Sequence, residues 1–120
     1  RKSTVADFSF VFQEVFLPAV ARMDPDLILI SAGQDILSDD PVGDMALVPE
    51  DIGYLTGLVL DTTHMPLALV LEGGYGPSQG AAVRNIFDAL AGTRFAGGDR
   101  NPGKKTLGLV SRLQRVHNLA

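Results

Sequence analysis

The 120-residue chain contains no cysteine and no tryptophan. Without cysteine there is no disulfide framework, no CxxC redox pair and no thiolate metal site, so any metal held here takes Asp, Glu or His. Imidazole is scarce too. His64 and His117 are the two histidines, without HxH or HExxH spacing and with no nucleophile beside them, which favours surface or structural roles. No GxGxxG, Walker lysine or GxSxG elbow is present, so the chain shows no nucleotide fingerprint, no activated serine and no internal general base. No apolar run approaches the roughly 18–20 residues of a membrane span, and the N-terminus is not signal-like. These absences predict a soluble protein with no membrane partner, cytoplasmic, or nuclear in a eukaryote. Ten Lys/Arg against fourteen Asp/Glu leave a net charge of −4. No Lys/Arg-rich face is expected, which argues against direct nucleic-acid binding.

What is present is a globular composition, 46% hydrophobic and 20% charged, at the length of one domain or part of one. Thr4, with Asp7 three residues on, predicts a helix start. Phe8, Val11, Phe12, Val15, Phe16 and Val20 then recur at helical spacing, with Pro18 expected to kink the helix or begin its last turn. Residues 27–30 and 67–71 are continuous apolar runs, the pattern of strands covered on both faces in a parallel sheet. Between them, Pro49, Glu50 and Asp51 suit the first turn of a helix carrying Ile52, Leu55, Val59 and Leu60. Ser78 is expected to cap a helix with Ala82, Val83, Ile86, Phe87 and Leu90 inward and Gly92 as its stop. Residues 93–105 read as a mobile linker, and Thr106 as the cap of a last helix with Leu107, Val110, Leu113 and Val116 inward.

This order is α/β, with parallel strands joined by right-handed crossovers. Two doubly covered strands make a narrow sheet when most have about four to six. The chain therefore reads as one end of a larger sheet, completed by further sequence of the same domain or by self-association.

Two loops follow the strands' carboxyl ends, where ligands collect in open α/β sheets. In the first, Asp35 sits just past a buried strand, either as a ligand for a hard or borderline cation or as an acid in a polar loop. Asp39, Asp40 and Asp44 read as turn chemistry or solvated acids. In the second, Glu72-Gly73-Gly74-Tyr75-Gly76 projects a tyrosine from tightly turned backbone. Its phenol is either a donor to a developing oxyanion or a ring packed over a glycine turn.

Three blocks in order, Pro25-Asp26-Leu27-Ile28-Leu29-Ile30-Ser31-Ala32-Gly33-Gln34-Asp35, Asp40-Pro41-Val42-Gly43 with Met45, and Leu71-Glu72-Gly73-Gly74-Tyr75, resemble the histone deacetylase superfamily. That superfamily includes acetoin-utilisation proteins and acetylpolyamine amidohydrolases, and the SAG and LEGGY wording is closer to its bacterial, archaeal and class II branches. The resemblance spans about residues 7–92. It implies the C-terminal part of a parallel-sheet, three-layer arginase/deacetylase-like fold, with residues 1–92 and the helix at 106–120 in one domain and 93–105 as a linker loop. It also implies zinc-assisted hydrolysis of an acetylated amine, an acetyl-lysine protein or an acetylpolyamine. On that resemblance Asp35 matches a zinc-ligating aspartate, Tyr75 the catalytic tyrosine on the scissile carbonyl, Gly73 and Gly74 the pocket glycines, and Asp40 a structural loop acid. Gln34, where Phe or Tyr is common, and Gly76, where Asn is common, depart from the pattern. The family's paired histidines and remaining zinc ligands have no match, so zinc binding weak or absent and no activity are expected of the 120 residues alone. A non-catalytic interaction or regulatory module, or an arginase-type metallohydrolase segment, are the alternatives.

Overall fold

The computed structural model describes residues 2–98 and 101–119. Arg1, Asp99, Arg100 and Ala120, which belong to the expected domain, linker and C-terminal helix, lie outside the described residues. The elements are α1 (Val5–Val11), a π-helical turn (Phe12–Phe16), α2 (Leu17–Met23), β1 (Ile28–Ala32), α3 (Pro49–Thr62), β2 (Leu67–Leu71), α4 (Gln79–Leu90) and α5 (Lys104–His117). β1 and β2 pair in parallel, Ile28 opposite Leu67 and Ala32 opposite Leu71. The α/β class with a parallel sheet therefore holds.

The first helix starts as its sequence predicts. The Thr4 N–H donates to Asp7 Oδ2 at 2.9 Å, satisfying one of the donors a helix start leaves open. The other Asp7 oxygen accepts the Gly103 N–H at 2.7 Å and the Thr106 hydroxyl at 2.8 Å. One buried carboxylate thus ties the start of α1 to the start of α5. The Thr106 hydroxyl, expected as the α5 cap, is spent on Asp7, and the helix begins three residues earlier, at Lys104 with Gly103 at its N-cap.

Pro18 sits in the first turn of α2, directly after the π-helical turn. Proline has no N–H to give the carbonyl four residues back. That carbonyl belongs to Glu14, and Gln114 Nε2 of α5 donates to it at 3.3 Å. Further on, Val48 is a poor cap for α3, yet Asp51 reaches back to accept its N–H at 2.9 Å.

Ile30 and Leu69 face α1, α3 and α4 across an apolar cleft of about 430 Å³. The opposite sheet face is bare among the described residues, with Leu29 64% and Val70 47% exposed. The described residues supply cover on the Ile30–Leu69 side only, forming one helical layer and the sheet, in line with the expectation that the chain is one end of a larger sheet whose second face is covered from elsewhere. The apolar stripes are narrower than their periodicity suggests. In α4 Ala82, Ile86 and Ala89 are buried while Phe87 and Leu90 are exposed, and in α5 Val110 alone is buried.

The connection after α4 carries no regular structure in its described part but is held against α3. Arg94 forms a bidentate pair with Asp61, and Arg94 and Phe95 lie against Gly57 and Gly53, one helical turn apart. Lys104, Lys105, Arg112 and Arg115 of α5 are all exposed and fall within about 100° of the helical wheel. The net charge therefore conceals one basic helix face, contrary to the expectation from composition.

Candidate active site

Both loops that leave the carboxyl ends of the strands are fixed from below. The first is nailed to the core by Leu37 and Leu47, 1% and 0% exposed, and the Ser38 N–H donates to the Leu47 carbonyl at 2.8 Å. Loop polarity hides these two anchors in the sequence. The loops are also joined to each other: the Gln34 N–H donates to the Gly73 carbonyl at 2.6 Å, and the Glu72 N–H to the Ala32 carbonyl at 3.3 Å.

Asp35 is half-buried beside this splice. Its Oδ1 lies 2.8 Å from where a β-carbon on Gly33 would sit, and Gly43 closes on its backbone carbonyl. Tyr75 is 65% exposed. Its ring leans on Gly73, with the hydroxyl 3.3 Å from a β-carbon placed there. The tyrosine does lie over a glycine turn, and its hydroxyl still makes no hydrogen bond among the described residues. Gly74 has φ +147°, and a β-carbon on it would come within 2.6 Å of the Gln34 β-carbon. Gly74 is required twice over, by its dihedral and by the buried Gln34 beneath it.

Asp39 and Asp40 do more than local turn chemistry. Asp40 Oδ1 accepts the N–H groups of Val42 and Gly43 at 2.8 and 2.9 Å, and Oδ2 crosses to the second loop to accept the Tyr75 N–H at 2.7 Å. The backbone N–H of Gly43 and that of Tyr75 hold its carboxyl below the ordinary value against the opposing pull of burial, as expected for a carboxylate bonded to several amides. Asp39 Oδ2 accepts both the N–H and the hydroxyl of Ser78, at 3.0 and 2.5 Å. Ser78 therefore does not cap α4 with its own side chain; Asp39 supplies the carboxylate to that helix start. Gly76 lies so near Asp39 that a β-carbon would fall 2.8 Å from its carbonyl oxygen, which accounts for glycine there.

The two loops bring Asp35, Gly73, Gly74 and Tyr75 to one end of the sheet. The apolar cleft is lined by Gln34 and Asp35 but not by Tyr75. Both histidines are elsewhere: His64 lies just beyond α3 and His117 ends α5, where its carbonyl accepts from Arg22. Among the described residues no three His, Asp or Glu side chains converge on a point that could hold a metal ion.

The profile of the histone deacetylase domain matches residues 1–90. The chain belongs to the histone deacetylase family. Polyamine deacetylase HDAC10 of Danio rerio is 34% identical over 119 residues, covering 97% of this chain and 17% of that protein. Among solved structures, the HD domain of HDA15 matches with TM-score 0.84 and 28% identity, over 96% of this chain and 31% of that one. Histone deacetylase Clr3 matches with TM-score 0.87 at 21% identity, over 96% of this chain and 20% of that one, a likeness of fold. The arginase/deacetylase fold is therefore the one this histone deacetylase segment adopts, and the chain spans under a third of each of these relatives.

Proposed function

We propose that this chain supplies the oxyanion-stabilising tyrosine and one metal-ligating carboxylate to a deacetylase that hydrolyses an acetylated amine, of the acetyl-lysine or acetylpolyamine type. The observation that carries it is Tyr75. A phenol with no hydrogen-bond partner among the described residues stands exposed on a clamped loop, at the end of a parallel sheet where Asp35 also emerges. As an amide carbonyl turns tetrahedral its oxygen gains charge, and a positioned phenolic O–H stabilises that charge more than it stabilises the ground state. Gly73 and Gly74 keep the wall beside the phenol free of side chains.

The family implies zinc. Asp35 is a fitting oxygen donor, but a catalytic zinc takes three protein ligands, and the described residues offer one at this place. The chain does not by itself fit the ion, and we assign it neither a complete site nor activity alone. The bare face at Leu29 and Val70 is assigned to contact with the rest of the same domain. This is supported by the two solved structures, in which the arrangement is part of a chain more than three times as long.

The test is acetate release by the full-length gene product from an acetyl-lysine peptide and from an acetylpolyamine. Hydrolysis of at least one, lost on chelation and restored by zinc, is expected. Zinc titration of the 120 residues alone should show no tight stoichiometric site. A full-length product that hydrolyses neither substrate, with metal supplied, contradicts the proposal in favour of a non-catalytic module.

A further inference from the structure

Two adjacent carboxylates of the first loop grip the second loop on either side of the phenol. Asp40 takes the Tyr75 N–H at 2.7 Å, and Asp39 takes the N–H and hydroxyl of Ser78 three residues later. Between these anchors Gly76 lets the backbone close onto Asp39. The Tyr75 side chain itself has little to hold it: the ring is mostly exposed, its hydroxyl is unpaired among the described residues, and its contact is with Gly73. The direction in which the phenol projects is therefore set by the backbone, and the backbone at Tyr75 is set by Asp40.

We propose that Asp40, assisted by Asp39, is a positioning residue for Tyr75. It fixes the Tyr75 backbone, and through it the place of the phenolic oxygen relative to Asp35. The inference rests on Tyr75 acting as proposed above. Asp40 suits the task because it is 7% exposed and spends both oxygens. Oδ1 secures the carboxylate to its own loop through Val42 and Gly43, and Oδ2 reaches across. A neutral amide of the same shape cannot do both. Asparagine has one oxygen, so either the Val42–Gly43 pair or the Tyr75 N–H would face an NH₂ group. A displacement near 1 Å of a catalytic group costs about 10²-fold in rate.

The experiment is a double-mutant cycle in the full-length gene product, with kcat and KM on whichever acetylated substrate it hydrolyses. Asp40→Asn is expected to lower kcat about 10–10²-fold with KM changed by less than about threefold. In a Tyr75→Phe background the same substitution should cost less than about threefold, because the donor it positions is already gone. Amide exchange of the segment at 72–78 should quicken in Asp40→Asn. A loop acid that only supports the fold would lower activity by the same factor in both backgrounds, and that result overturns the proposal, as does unchanged kcat in Asp40→Asn. If Asp40→Asn does not fold, the cycle is run on Asp39→Asn, whose side chain is exposed. A severalfold loss of kcat that vanishes in Tyr75→Phe is expected there, and an equal loss in both backgrounds overturns the proposal. Near-wild-type turnover of Tyr75→Phe alone would instead bring down the role of Tyr75, and the positioning role with it.

Discussion

Gly43 lies against the backbone carbonyl oxygen of Asp35, so close that position 43 has no room for a β-carbon. The obstacle is backbone rather than the end of a flexible side chain, so it cannot be pushed aside without moving Asp35. Gly43→Ala is expected to destabilise by about 1–3 kcal/mol, the usual cost of overpacking. Gly108→Ala is the control: position 108 is inside α5 with open space around it, and alanine there should stabilise by up to about 1 kcal/mol. Denaturant unfolding of both variants checks the pair, and equal effects would show that the Gly43 contact carries no constraint.

Gln114 and Pro18 form a second checkable unit. Gln114→Ala removes the donor to the Glu14 carbonyl and should cost about 1 kcal/mol. Pro18→Ala restores an N–H four residues after Glu14, so in that background the Gln114→Ala cost should shrink. An undiminished cost in the double variant would mean that the amide works through its other contact, the Glu14 carboxylate at 3.2 Å.

Asp40 also sets a pH signature. Its carboxyl is held below the ordinary value in the folded chain, so its contribution to stability is complete above the unfolded value of about 3.9. That contribution is lost as pH falls further, through the folded value. The stability difference between the wild type and Asp40→Asn should be flat from neutral pH down to about 4 and narrow in stronger acid. A difference that already fades between pH 7 and 5 would contradict the charge state assigned to Asp40.

The parts of this structure that were legible in the sequence are those fixed by neighbours in the chain. Apolar runs located β1 and β2, Asp7 and Thr4 marked the start of α1, and Pro49 opened α3. The glycines and the tyrosine of the second loop fell at the end of β2, where a site was expected. What could not be read depends on partners distant in sequence. Ser78 and Thr106 look like ordinary caps until Asp39 and Asp7, 39 and 99 residues away, claim their hydroxyls. Leu37 and Leu47 are hidden inside a polar loop because their burial follows from how the loop folds back, not from periodicity. Phe87 and Leu90 extend an apolar stripe that the described neighbours of α4 are too few to cover. Gly76 looked like a departure from a family pattern, and the close approach of Asp39 explains it; nothing in the structure explains glutamine at position 34.

The most direct measurement is turnover of Tyr75→Phe in the full-length gene product, with zinc content measured on the same sample. The substitution keeps the ring that leans on Gly73 and deletes only the hydroxyl. If that hydroxyl stabilises the oxyanion, kcat should fall about 10²–10³-fold, with zinc content unchanged and KM altered far less than kcat. If the tyrosine merely packs over its glycine turn, turnover will stay near wild type with zinc intact, and that result would contradict the account.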